Sequence, residues 1–415
     1  MKRLTFLFST TIVMLLVAGL IAVPAFAAAS GTTSATSSGG GCTIPPMPSY
    51  SSLPANSYLP DPFKMMDGSR ITTKAQWACR RAEIAALSQE FELGVKPGKP
   101  SSVTSFFSEN SITVTCSEGE KSISFSCSIT YPSEGNAPYP AMICVGGSGL
   151  SSQLSGLGVA VITFPNNQIA QQTNSGSRGK GKFYDLYGSA HSAGALMAWA
   201  WGVDCLIDAL ETTPAAGIDA NRLGVTGCSR NGKGALAVGE FDERIKLTIP
   251  QESGAGGAAS WRVSDAQKAA GQNVQTLSQI VTENCWFRSD FSHFGSAVNK
   301  LPFDHHMIAA LCAPRALLFV ENTSMEWLGN LSTWTNGNVT HMVWEALGIP
   351  DKMGFSQAGH PDHCRFPSSQ NPELTAYVQK FLVGGGTGNT TIMKTDSGLT
   401  FDKAKWVDWT VPSLQ

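Results

Sequence analysis

The sequence predicts an α/β fold with a mainly parallel sheet covered on both faces by helices. Three observations predict it. Short apolar runs of strand length, at residues 139–145, 157–164, 223–226, 245–249 and 316–320, alternate with stretches of helical pattern. Several of these runs end directly in turn residues, as in Gly146-Gly147-Ser148-Gly149 and Pro250-Gln251-Glu252-Ser253-Gly254. The run 223–225 leads into Thr226-Gly227-Cys228-Ser229-Arg230-Asn231-Gly232-Lys233-Gly234, and residues 235–238 then start a helix. That is a strand–turn–helix unit in which small residues let the backbone fold back around one serine.

The elements follow in order. Lys2 and Arg3 precede an apolar run at 12–23, and Pro24-Ala25-Phe26-Ala27 supplies small residues, so residues 1–27 read as a secretory signal peptide cut after Ala27. Residues 28–41 are Ser/Thr/Gly-rich and read as a flexible segment. Residues 42–62 read as irregular chain. A helix is expected over 73–92 with Thr73 as N-cap. Alternation at 112–115 and 122–131 around Glu118-Gly119 predicts a β-hairpin. Helices are expected at 193–210, 342–347 and 371–382, the last following a loop with two histidines at 356–367. No repeat divides the chain, so residues 42–415 are expected to form a single catalytic domain.

Composition narrows the partners. The net charge of the 415 residues is −2 and no basic run follows Lys2-Arg3, which argues against nucleic acid and anionic membranes. All ten cysteines lie after the signal segment, as expected of an exported chain with disulfides. There is no C-x-x-C pair, and neither a metal nor a cofactor is expected. Sequons stand at Asn322, Asn330, Asn338 and Asn389.

The serine turn raises the question of partners. An activated serine needs a base, and the base needs a carboxylate to orient it. In α/β-hydrolase folds the chain order is Ser, then Asp/Glu, then His. Glu252 directly follows the strand after the serine's helix and is the preferred acid; Glu321 and Glu326 are the alternatives. Of seven histidines, chain order leaves His360 and His363. If Cys228 bonds Cys364, their Cα atoms stand about 5.5–6 Å apart. Ser229 and His363 are then side by side, and His363 is the base in preference to His360.

These residues resemble the glucuronoyl esterases, most closely the fungal-type members. The resemblance rests on 227–235, Gln251-Glu252-Ser253-Gly254-Ala255-Gly256-Gly257, Val281-Thr282-Glu283-Asn284 with Trp286-Phe287, Leu301-Pro302-Phe303-Asp304-His305-His306, Ala313-Pro314-Arg315-Ala316, Glu326-Trp327-Leu328-Gly329 and His363-Cys364. It implies an α/β-hydrolase fold, a three-layer α-β-α sandwich. It implies a serine esterase cleaving the bond between lignin alcohols and the 4-O-methyl-D-glucuronic acid side chains of glucuronoxylan; with the signal peptide the enzyme is expected to be secreted and extracellular, and it is expected to act as a monomer. Under it Ser229 is the nucleophile, Glu252 the acid, His363 the base and Arg230 the oxyanion-stabilising arginine. Lys233, Gln275, Glu283 and Trp327 stand where the family contacts the sugar. Cys42–Cys79 matches its N-terminal bridge. Ser260 and the region of Asn336 lack the cysteines of another, and Cys285–Cys312 is the expected replacement. Cys116 and Cys127 are candidates to bridge the hairpin; Cys144 and Cys205 read as buried thiols. The rival readings are an acetyl xylan or feruloyl esterase, which needs no such sugar set, and a non-catalytic carbohydrate-binding protein on the same scaffold.

Overall fold

A computed structural model describes Met1, residues 42–147 and residues 149–415. The expected signal peptide and the Ser/Thr/Gly-rich segment lie outside the described residues, Met1 aside. Among the described residues no helix is long and apolar enough to cross a membrane.

Ten strands form one sheet: β1 (Ser102–Ser108), β2 (Ser111–Glu118), β3 (Lys121–Thr130), β4 (Tyr139–Val145), β5 (Ala160–Phe164), β6 (Ile218–Cys228), β7 (Ile245–Gln251), β8 (Ala316–Glu321), β9 (Met353–Gln357) and β10 (Met393–Thr395). Their spatial order is β1-β2-β3-β5-β4-β6-β7-β8-β9-β10. The first three pair antiparallel, and β3 meets β5 antiparallel. From β5 across to β10 every pairing is parallel. Parallel strands need crossovers, and helices supply them on both faces.

The alternating side chains of β4 separate the two faces. Ala141, Ile143 and Val145 join a core with helices α1 (Lys74–Ser88), α2 (Ala195–Thr212), α3 (Arg230–Phe241) and α4 (Asn330–Ala346). Met142 and Cys144 point the other way, into a core with Leu154 and with Leu374, Tyr377 and Val378 of α5 (Asn371–Val378). The result is the expected α-β-α sandwich, a mixed sheet that is mostly parallel.

Several expectations are adjusted by the structure. Thr73 caps α1 as expected, in a capping box with Gln76. The expected helix at 342–347 is the end of α4, which starts at Asn330. The expected hairpin forms, but Cys116 stands opposite Ile123 and Cys127 opposite Ile112. The two cysteines are therefore several rungs apart along the ladder, both unbonded and buried, and they do not bridge it. Cys42–Cys79 and Cys228–Cys364 are bonded. Cys285–Cys312 is not: both are free. The reason is position. The Cys285 thiol donates to the carbonyl of Gln171, whereas Cys312 lies against Thr248 of β7. Cys205 is a buried thiol, and Cys144 is buried within β4.

Candidate active site

The site is built at the carboxyl ends of adjacent strands. Between β6 and α3, Ser229 takes φ 59° and ψ −127°. A side-chain-bearing residue at positive φ costs about 1–3 kcal/mol, so the surroundings must impose it. They do so through close backbone packing. Ser229 N–H donates to the carbonyl of Gln251 at 2.9 Å, and Lys233 N–H donates to the carbonyl of Ser229 at 3.1 Å. A Cβ on Gly232 would stand 2.7 Å from the Gln251 oxygen, and one on Gly227 would stand 2.4 Å from the Asn231 oxygen. Neither neighbour can move aside, because both are main chain.

One strand over, Glu252 follows β7 at φ 43°. Its N–H donates to the carbonyl of Val320 at 2.7 Å. Its carboxylate is buried and collects donors. His363 Nδ1 lies 2.7 Å from Oε2, Cys364 N–H is 3.1 Å from each oxygen, and the Gln251 amide donates to Oε1 at 3.2 Å. Burial by itself would raise the carboxyl pKa; the donors from His363 and Cys364 outweigh it and hold the group below its ordinary value. With Nδ1 directed at a carboxylate, the His363 ring presents Nε2 on its far side, where no protein partner takes it. An imidazole with its proton-bearing nitrogen on a carboxylate and its other nitrogen free is arranged to accept a proton.

Ser229, Arg230, Lys233, Gln275, Glu283, Trp286, Trp327 and His363 line one cavity of about 320 Å³. Every cavity residue proposed from the sequence is therefore present, and Glu252 stands behind His363. The Trp327 ring meets the His363 ring edge-on at 4.8 Å, and the Gln275 amide donates to Glu283 at 3.3 Å. Lys233 is buried and its ammonium donates to the carbonyl of Ser253. Burial lowers its pKa to about 8, opposed by the charges of Glu321 and Glu283.

The comparisons with known proteins agree on one family. Residues 114–348 match the model of the family described as glucuronyl esterase of fungi. A 4-O-methyl-glucuronoyl methylesterase of Hypocrea jecorina is 52% identical over 374 residues, covering 90% of this chain and 80% of that protein. A second, from Podospora anserina, is 52% identical over 375 residues, covering 90% and 78%. This chain belongs to the fungal glucuronyl esterase family. It is a carboxylic ester hydrolase. The solved glucuronoyl esterase catalytic domain from Hypocrea jecorina superposes with a TM-score of 0.85 at 52% identity, covering 88% of this chain and 99% of that one. A serine-to-alanine variant of the glucuronoyl esterase from Sporotrichum thermophile, solved in complex with methyl 4-O-methyl-β-D-glucopyranuronate, gives 0.85 at 48% identity, covering 91% and 100%.

Within this glucuronyl esterase the candidate acids and bases have different surroundings. Neither Glu321 nor Glu326 hydrogen-bonds a histidine: Glu321 accepts from Ser253 N–H at 2.9 Å and from its hydroxyl at 3.0 Å, and Glu326 accepts from Asn273 N–H. His360 is close to the same carboxylate, with Nε2 3.4 Å from Glu252 Oε1, but it does not line the cavity. Its Nδ1 faces the Asn322 amide, whose oxygen is fixed by Ser324 and His360 N–H groups. Cys228, His363 and Cys364 are the one ligand-like cluster among the described residues, and its two sulfurs are bonded to each other. Trp286 was given no role from the sequence. Its signal was weak: an indole three residues after Glu283, in a stretch read only as part of the family's pattern.

Proposed function

We propose that this esterase is exported and hydrolyses the ester between lignin alcohols and the 4-O-methyl-D-glucuronic acid side chains of glucuronoxylan, through Ser229, His363 and Glu252. The observation that carries the reading is the 2.7 Å contact of His363 Nδ1 with Glu252, with the free Nε2 and Ser229 on one cavity. His363 takes the Ser229 proton as the oxygen attacks the glucuronate carbonyl. The tetrahedral oxyanion is stabilised by Arg230 and by main-chain N–H groups, each donor worth about 3–4 kcal/mol. The alcohol leaves with the proton held by His363, and water then releases the glucuronoyl group by the same route in reverse.

Lys233, Gln275, Glu283 and Trp327 bind the sugar. The amide both donates to and accepts from hydroxyls, the carboxylate accepts from them, the ammonium donates, and the indole covers the apolar edge of the ring. Support for a glucuronate ligand comes from the Sporotrichum thermophile relative and its bound methyl ester. Export is supported by the sequence of residues 1–27 and by two disulfides. Residues 42–415 are proposed as one catalytic domain, acting as a monomer.

The decisive experiment compares benzyl and alkyl glucuronate esters with acetylated and feruloylated xylan. Hydrolysis of the glucuronates alone is expected, and Ser229→Ala should abolish it without unfolding the protein. Faster release of acetate or ferulate would assign the enzyme to another esterase class; a fully active Ser229→Ala protein would sink the triad.

A further inference from the structure

Arg230 is a cavity-lining cation with an unusual support. Among the described residues its guanidinium has no hydrogen-bond or ion-pair partner; what it has is the face of an indole. Its Cζ lies 5.1 Å from the centroid of the Trp286 ring. Lys233 Nζ lies 5.7 Å from the same ring. Both distances are within the range at which a ring face attracts a cation.

The indole is itself held firmly. Trp286 is 2% exposed although it lines the cavity. Its Nε1–H donates to the side chain of Gln172 at 2.9 Å, and its carbonyl accepts from Leu196 N–H in the first turn of α2 at 3.1 Å. Gly194, at the start of that helix, packs so closely that a Cβ there would stand 2.3 Å from the Trp286 oxygen. The main chain of Trp286 is thus fixed by the start of α2, and its ring by the side chain of Gln172.

We propose that Trp286 is a positioning residue that orients Arg230 toward the reacting carbonyl through its ring face. This rests on the oxyanion role given to Arg230 above. The physical advantage is specific. A carboxylate partner would hold the guanidinium equally well, but it would occupy two of its donors and cancel its charge. An indole face orients the cation and leaves all five N–H groups for the oxyanion. Lys233 on the same ring shares the support, and its own hydrogen bond to Ser253 makes it less dependent on it.

The test is a mutant cycle on benzyl glucuronate hydrolysis with Trp286→Phe, Trp286→Leu, Arg230→Ala and the Trp286→Leu/Arg230→Ala double variant. Trp286→Leu is expected to lower kcat about tenfold or more, with KM within about threefold of wild type, because the oxyanion contact exists only in the transition state. Trp286→Phe keeps a ring face and should lose clearly less. In the Arg230→Ala background the leucine should cost nothing further. Losses that multiply in the double variant, a phenylalanine as damaging as leucine, or a wild-type kcat for Trp286→Leu would each overturn the proposal. A wild-type kcat for Arg230→Ala would overturn the oxyanion reading and this one with it; a slow Arg230→Ala beside a fast Trp286→Leu would overturn only the positioning role. Should Trp286→Leu not fold, the same cycle with Trp286→Phe decides, the expected loss being about threefold in the wild-type background and absent without Arg230.

Discussion

Glu252 directly follows β7 and Glu321 ends the neighbouring β8, and both are buried, yet their surroundings push them in opposite directions. Glu252 is held below its ordinary pKa, against its burial, by His363 and Cys364. Glu321 is raised to about 8, chiefly by burial, and one of its oxygens has no partner. An unfolded glutamate titrates near 4.3, so between about pH 4.3 and 8 the folded state binds more protons than the unfolded state at this site. Stability from this group is therefore complete below the unfolded pKa and is lost as pH rises through the folded one. Glu321→Gln cannot ionise and keeps an oxygen for Ser253. It is expected to gain stability over wild type as pH rises from 5 to 8, by on the order of a few kcal/mol, in urea titrations at several pH values. A pH-independent difference would contradict the assignment. The Ser229 turn and the Glu252 position were legible in the sequence because strand-end chemistry is local: a glycine-flanked serine and an acid directly after an apolar run need no tertiary knowledge. The arginine's indole was not, because Arg230 and Trp286 meet only through the packing of α2.

At the scale of elements, the bond Cys228–Cys364 joins the β6–α3 turn to the loop that carries His363, across 136 residues of sequence. Cys364 takes φ 69° and directs its N–H at Glu252. The bridge thus acts on the base and the acid together. Cys228→Ser/Cys364→Ser is expected to lose roughly 3–5 kcal/mol of stability through loop-closure entropy. It should also lose kcat about tenfold or more, since the imidazole depends on this loop for its alignment. Denaturant melts and initial rates on benzyl glucuronate report the two effects separately. Helix α4 shows why some elements were hard to read. Its buried face includes Ser332, Thr333, Thr335, Asn336 and Thr340, so the apolar period that marks a helix appears only near its end. Gly337 in that helix packs on Phe355 of β9, where a Cβ would come within 2.4 Å of the ring. Gly337→Ala is expected to cost about 1–3 kcal/mol in thermal or urea unfolding, despite alanine's better helix propensity.

For the whole molecule, the parallel half of the sheet was legible because buried parallel strands are near-continuous apolar runs. The strands β1, β9 and β10 were not: β1 alternates exposed and half-exposed residues, and β10 has three residues. Within residues 42–415 the leading and trailing segments close on each other, and none of the residues that do so lines the cavity. Lys74 N–H donates to the Gln415 carbonyl, Gln415 N–H to Thr72, Leu59 N–H to Trp406, and the Trp409 indole to Leu59. Cys42–Cys79 ties the leading segment to α1 within this closure, across 37 residues. The two disulfides should therefore separate stability from catalysis. Cys42→Ser/Cys79→Ser is expected to lose roughly 3–4 kcal/mol of stability, by the same entropy argument applied to a shorter loop. Its kcat and KM on benzyl glucuronate should match wild type, because no residue it releases lines the cavity. The loss should also appear as faster proteolysis near residues 42–62, since a leading segment freed from α1 opens before the sheet does. A large fall in kcat in this variant, at a temperature where it remains folded, would mean that the closure at the chain ends is coupled to the serine turn across the core.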